Sequence, residues 1–172
     1  MTTDTNIYWG TFRFHDWRLY LAATEAGLCY IGSPNAPFSE LESWVSKKIK
    51  HPVLQENDEK VVAAKHALQD YLHGETNEFQ MPVDAIGTTF QKAVWQASTQ
   101  IPYGETRTYQ EIATTIDKPN AVRAVGTAIG ANPLLMIIPC HRIVAKNGSL
   151  SGFRAGLDMK KFLLELEQQH AR

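Results

Sequence analysis

The chain has 172 residues, 17 Lys plus Arg against 18 Asp plus Glu, a net charge of −1 and 44% hydrophobic residues, 10% of the chain being aromatic. That composition excludes wholesale disorder, allows one domain or two small ones, and at first sight argues against a nucleic-acid partner, which excess Lys and Arg usually announces. No apolar run approaches the roughly 18–20 residues that span a membrane and the start MTTDTNIYWG lacks the basic-then-apolar order of a secretory signal; two cysteines, Cys29 and Cys140, make no disulfide framework or CxxC pair, so a cytoplasmic protein with two free thiols is expected.

Ile7–Phe12 and Arg18–Ala22 are aromatic and aliphatic runs of strand length, and Glu25-Ala26-Gly27 turns the chain into Leu28–Ile31. The first third therefore reads as an antiparallel sheet. Phe38, Leu41, Trp44, Val45 and Ile49 then recur at helical spacing, as do Val61, Val62, Ala64, Leu68, Tyr71 and Leu72 before His73-Gly74. A polar stretch over residues 75–87, carrying Pro82, is the boundary candidate and sets the expected domains at 1–84 and 85–172.

Thr88-Thr89-Phe90-Gln91 is a capping-box pattern that opens a helix with Phe90, Val94 and Trp95 inward; Ile101-Pro102-Tyr103-Gly104 closes it. Thr108-Tyr109-Gln110-Glu111 repeats the pattern ahead of Ile112, Ala113 and Ile116. Asp117-Lys118-Pro119-Asn120 breaks that helix and places Asn120 as the N-cap of a third, over 121–130. Two short helices joined by a Pro-containing turn outline a helix-turn-helix. On the third, Val122, Val125 and Ile129 share one face while Arg123, Gly126, Thr127 and Gly130 lie away from it. So bare a face points first to packing on another helix, and second to a nucleic-acid groove entered with one guanidinium.

After Asn132-Pro133 comes the apolar run Leu134–Ile138, then Pro139-Cys140-His141-Arg142-Ile143-Val144. A buried segment thus delivers Cys140 into a turn beside an imidazole and a guanidinium, which favour the thiolate. Cys29, within Leu28–Ile31, has no ionisable neighbour in sequence and reads as a small core residue. A Cys–His pair serves acyl transfer, redox sensing or attack on an alkyl carbon. No resolving cysteine lies near, and a thiol just after a helix of this kind points to the third.

Ile138–Val144, taken with Tyr109-Gln110-Glu111-Ile112-Ala113, Arg123-Ala124-Val125-Gly126, Asn132-Pro133, Ser151-Gly152-Phe153 and Leu163–Glu167, closely resembles the O6-alkylguanine-DNA alkyltransferases. The match is dense from about residue 89 to 167 and is one of layout before that. The resemblance implies an α+β fold, an N-terminal ribonuclease-H-like sheet with helices followed by a winged-helix-like domain containing a helix-turn-helix. It also implies a monomer that binds double-stranded DNA through the minor groove, flips out O6-alkylguanine and takes the alkyl group irreversibly onto Cys140, without a cofactor; some relatives bind zinc through the N-terminal domain, but here Cys29 with His15, His51, His66 and His73 forms no recognised ligand set, so no metal is expected. The resemblance leaves O4-alkylthymine as a second candidate substrate. His141 is then the base, acting through a water, Glu167 orients it and favours its charged form, and Asn132 braces the turn. Without the resemblance Glu167 reads as a surface carboxylate.

The same resemblance makes Arg123 the finger that replaces the extruded base, Tyr109 a contact to lesion and phosphate, and Ala121, Ala124 and Thr127 the small residues that let the helix lie deep. The carbonyls of Cys140 and Ile143, the Arg154 amide, Ser151 and Phe153 would form the guanine pocket, with Phe153 standing where relatives often have Tyr. Leu135 and Ala155 replace Pro and Gly of some relatives, which implies methyl transfer and poor reaction with benzyl lesions. A non-catalytic lesion-binding protein is the alternative, and the presence of Cys140 weighs against it. A sequence-specific regulator would need more base-reading side chains than this helix carries. Residues 1–84 carry 7 Lys plus Arg against 12 Asp plus Glu, and residues 85–172 carry 10 against 6. The near-neutral total therefore hides an acidic half at −5 beside a basic one at +4.

Overall fold

The computed structural model describes residues 3–150 and 153–171. The chain divides after Ile86 into two compact units. In the first, β1 (Thr5–Phe14), β2 (Trp17–Thr24) and β3 (Gly27–Ile31) pair antiparallel, and β4 (Pro52–Glu56) joins β1 in parallel, giving the order β3-β2-β1-β4. The sequence pattern did not reveal β4: only Leu54 is even half-buried there, so no hydrophobic alternation marks it, and Pro52 occupies its first position as suits an edge strand. Helix α1 (Phe38–Lys48) lays Leu41 and Val45 on a core of Ile7, Ala22, Cys29 and Tyr30. Helix α2 (Val62–Leu72) buries Ala64, Leu68, Tyr71 and Leu72. Gly27 has φ 148°, and a Cβ there would stand 2.6 Å from the Pro82 carbonyl oxygen. That close approach lets Leu28 N–H donate to Pro82 O at 3.1 Å and Asp84 N–H to Leu28 O at 2.7 Å, so the polar 82–84 segment is stitched to β3.

The second unit contains α3 (Thr89–Thr99), β5 (Arg107–Thr108), α4 (Tyr109–Thr115), α5 (Val122–Gly130), β6 (Ile143–Val144) and α6 (Leu157–His170), with a 3-10 turn, Cys140–Arg142, before β6. Thr88 with Gln91, and Thr108 with Glu111, form the two capping boxes in full. Trp95 is buried on α3 and donates its indole N–H to Ala128 O at 2.9 Å, docking α3 on α5. The start of α5 differs from expectation. Its N-cap is Ala121, with no side-chain cap, and Asn120 lies one residue too early. The turn after Pro119 closes with Ala121 N–H on Lys118 O at 2.9 Å, and Ala121 O then accepts the first helical bond from Val125. The backbone turn, not the asparagine side chain, sets where this helix begins. Strands β5 and β6 pair in parallel, tying the entry of α4 to the exit of the 3-10 turn. The architecture is α+β, a sheet with helices followed by a mainly helical unit. Among the described residues no helix is long and apolar enough to cross a membrane.

Candidate active site

Asn132 is buried just beyond α5 and uses its whole amide: Nδ2 donates to Ile138 O at 2.9 Å, and Oδ1 accepts from Leu134 N–H at 2.8 Å. This cross-brace folds the apolar run into a buried loop in which Met136 takes φ 73° and Leu134, Leu135 and Ile138 are covered. The loop ends with Cys140 N–H on Ile138 O at 2.7 Å, which fixes the cysteine at the head of the 3-10 turn.

Cys140 is completely buried, and that burial pushes its thiol up to about 12. Hydrogen bonding from Ser98 and Asn132 and the charges of Lys160 and Arg154 work in the opposite direction. The resting group is therefore a protonated thiol. Sequence adjacency pointed to the flanking imidazole and guanidinium as the groups that favour the thiolate; the cations acting on the sulfur come instead from the other end of the unit.

His141 Nε2 lies 2.6 Å from Glu167 Oε2. Arg142 grips the same carboxylate in a fork, Nε to Oε1 at 2.8 Å and an η nitrogen to Oε2 at 2.9 Å, and Gly104 N–H donates to Oε1 at 3.1 Å. The other guanidinium arm reaches Ile101 O at 2.8 Å, and the Arg142 head stands over the Tyr103 ring. Glu167 is thus shared. Burial holds His141 below the ordinary imidazole range, the Arg142 and Lys160 charges add to this, and Glu167 only partly offsets it. Glu167 does act to favour a charged imidazole, as expected, but burial outweighs it, so at neutral pH the ring is uncharged, the form a general base needs.

The pocket residues meet around this centre. Ile143 N–H donates to Cys140 O, and Ile143 O accepts from Lys160 Nζ at 2.6 Å. The Phe153 ring stands edge-on to His141, 6.5 Å between centroids. Arg154 Nε donates to Asn132 O at 3.2 Å. Ser151 lies outside the described residues. Tyr109, half-buried, opens α4, and its ring lies 4.0 Å from where a Cβ on Gly126 would be, so α5 passes close to it. Arg123, Ala124 and Thr127 are exposed on α5 and Ala121 is half-exposed at its start; they form an outward face rather than part of the buried centre.

Arg142 was read from the sequence as a charge favouring the thiolate rather than as the partner of Glu167, and two members of the centre were not singled out at all: Ser98 and Lys160. A signal for the last existed, since Lys160, Leu163 and Glu167 fall at i, i+3 and i+7 on α6 and so share its buried face.

Residues 89–169 match the family described as 6-O-methylguanine DNA methyltransferase, DNA binding domain, and residues 7–85 its ribonuclease-like domain. The inducible methylated-DNA–protein-cysteine methyltransferase of Bacillus subtilis is 47% identical over 98% of this chain and 94% of its own. The crystal structure of Mycobacterium tuberculosis O6-methylguanine methyltransferase superposes with a TM-score of 0.83 at 35% identity, covering 96% of this chain and 95% of that one. The M. tuberculosis protein in complex with DNA gives 0.81 at the same identity, over 96% and 94%.

Proposed function

Because the chain belongs to the 6-O-methylguanine DNA methyltransferase family, we propose that Cys140 is its alkyl acceptor, taking the alkyl group from O6-alkylguanine in double-stranded DNA once per molecule. The activity is DNA repair by alkyl transfer from methylated DNA to a protein cysteine. The observation that carries the assignment to Cys140 is its burial beside an uncharged imidazole that Glu167 holds at 2.6 Å.

Cys140 sulfur attacks the alkyl carbon in line, the S–C bond forms, and the C–O6 bond breaks with its electron pair going to the guanine oxygen. The thiol proton leaves by way of His141 and ends on the guanine, so neutral base and thioether are the products. A thioether has no second leaving path, hence the single turnover. Nε2 faces Glu167, so the relay runs through the other ring nitrogen, Nδ1. Asn132 keeps the turn in place. The Cys140 carbonyl accepts from Ile143 N–H and the Ile143 carbonyl from Lys160 Nζ, and a carbonyl oxygen has two lone pairs, so each can also accept from the exocyclic amine of guanine. The Arg154 amide, Ser151 and Phe153 complete the base pocket. Arg123, on the exposed face of α5 with small Ala121, Ala124 and Thr127, enters the minor groove and fills the gap left by the flipped base, and Tyr109 contacts lesion and phosphate. The protein acts as a monomer in the cytoplasm, and O4-alkylthymine is the second lesion to test.

The test is to mix the protein with a duplex oligonucleotide containing O6-methylguanine and read intact mass and a peptide map. One methyl on Cys140 is expected; unchanged mass with Cys140 reduced overturns the assignment and leaves a lesion-binding protein. Buried Leu135 and the Ala155 position narrow the alkyl site, so free O6-benzylguanine at low micromolar concentration is expected to inactivate slowly.

A further inference from the structure

Among the described residues six polar or charged side chains are buried, Ser98, Asn132, His141, Arg142, Lys160 and Glu167, and all six belong to the second unit. Five of them have a task in the centre around Cys140 or in its brace. Ser98 is the sixth. It has no accessible surface and shares the inner face of α3 with Val94, Trp95 and Ala97, where an alanine would hold the helix without burying a hydroxyl. The end of α3 is tied to the 3-10 turn, since Ile101 N–H donates to Ser98 O at 3.1 Å and Ile101 O accepts from Arg142 at 2.8 Å. The Ser98 side chain thereby lies against that turn, in hydrogen-bond contact with the Cys140 thiol. Its own proton goes elsewhere: Oγ donates to Val94 O at 2.9 Å.

We propose that Ser98 is a further catalytic residue, a hydroxyl that serves Cys140 in both of its states: beside the resting thiol it donates to Val94 O and accepts from S–H, and once the sulfur has lost its proton it rotates and donates to the thiolate. The assignment rests on the reading of Cys140 as alkyl acceptor. A hydroxyl has one proton and two lone pairs, so both arrangements are open to it without any movement of its oxygen. The rotation costs little, because Val94 O lies within α3, where the helical ladder supplies it with an N–H as well. It is also downhill, since a hydrogen bond to an anion is stronger than one to a neutral carbonyl. Asn132, the other side chain bonded to this sulfur, cannot adapt in that way: its amide is pinned to Ile138 O at 2.9 Å and to Leu134 N–H at 2.8 Å. In a site closed to solvent, a donor that follows the charge replaces the water that a thiolate would otherwise require. Ser98 works in the same direction as the charges of Lys160 and Arg154, all of them favouring the thiolate against burial. After transfer the thioether has no proton to give and accepts only weakly, so the hydroxyl returns to Val94 O.

The experiment compares Ser98→Ala, Ser98→Thr and Thr99→Ala, each in a Cys29→Ala background, by single-turnover methyl transfer and by infrared spectroscopy of the S–H stretch. With Cys29 replaced, Cys140 is the single thiol of the protein. Thr99 is the exposed neighbour on α3, and its hydroxyl makes the matching bond back into the helix, to Gln96 O at 2.6 Å. Ser98→Ala is expected to lose about tenfold in transfer, equally from an O6-methylguanine duplex and from free O6-methylguanine, with duplex affinity unchanged. Its S–H band is expected to move to higher frequency, because the thiol loses its acceptor. Thr99→Ala is expected to follow the background protein in both rate and band. Ser98→Thr keeps the hydroxyl and is expected to keep the band position, with a rate above that of Ser98→Ala. Transfer at the background rate in a folded Ser98→Ala overturns the proposal, and so does a slowed Ser98→Ala whose band has not moved, which assigns the loss to packing. A loss of the same size in Thr99→Ala overturns it too. If Ser98→Ala does not fold, a displaced band in Ser98→Thr overturns it instead. Failure of wild-type protein to acquire a methyl on Cys140 is a different result: it removes the acceptor assignment itself.

Discussion

The chain holds two cysteines, both fully buried, and both thiols are pushed up to about 12 by that burial. Resting acidity therefore does not distinguish the proposed acceptor, Cys140, from Cys29. What differs is the sign of the surroundings: an anion, Asp84, acts on Cys29 and opposes its ionisation, whereas Lys160 and Arg154 act on Cys140 and favour it. Cys29→Ala is accordingly expected to leave methyl transfer to Cys140 at the wild-type rate while costing about 1 kcal/mol of stability for the lost core volume. Mass analysis after reaction and urea denaturation check the two halves of that statement; a loss of transfer in a folded variant contradicts it. His141 gives a prediction in pH. Its folded value lies below the ordinary 6.5, so in that window the unfolded chain takes up a proton that the folded one refuses. Stability from this group is fully present above pH 6.5 and is lost as pH falls toward the folded value, at up to about 1.4 kcal/mol per pH unit. Denaturant unfolding between pH 7 and 5 is expected to show that decline in wild type. His141→Gln, which still offers an N–H toward Glu167, should flatten it.

At the level of elements, local patterns in the sequence translated directly and non-local ones did not. Both capping boxes formed because each needs only a hydroxyl and a carboxylate or amide three residues apart, all supplied within one turn. Asn120 matched the same kind of local rule but lost to the turn that Pro119 introduces. The two cases make a paired prediction. Thr108→Ala removes an observed cap and is expected to cost about 0.5–2 kcal/mol, whereas Asn120→Ala is expected to stay within about 0.5 kcal/mol. Equal losses in thermal unfolding would put the cap of α5 back on Asn120. The site divides the same way. The Cys140-His141-Arg142 run is contiguous and stands out by its chemistry, and the resemblance supplied Glu167. That Arg142 forks this carboxylate, and that Lys160 points inward, depend on α6 packing on the 3-10 turn, a contact between segments about twenty residues apart for which no local rule exists. Gly104 shows how far such a contact reaches. It has φ 83°, its N–H holds Glu167, and a Cβ there would come within 2.6 Å of the Ala171 side chain.

For the molecule as a whole, charge is distributed so that encounter with DNA and chemistry on the base are separable. Residues 85–172, which hold α5 and Cys140, carry the net +4, and Arg123 projects from the exposed face of α5, while Cys140, His141 and Lys160 are sealed from solvent. Salt screens exposed charges over a Debye length of about 8–10 Å and reaches buried ones far less. Binding to duplex DNA is therefore expected to weaken with salt, with a log–log slope of about −2 to −4, set by the few phosphates so small an excess of cations can neutralise. Reaction with free O6-methylguanine, which needs only the buried centre, is expected to be nearly independent of salt. Arg123→Ala tests the same separation by mutation. It removes the group assigned to fill the emptied stack, so transfer from the duplex should fall about tenfold or more while transfer from the free base stays near wild type. Measuring both substrates at two salt concentrations in both proteins decides the matter. Equal losses on duplex and free base would mean that Arg123 supports the buried centre and has no part in extruding the lesion.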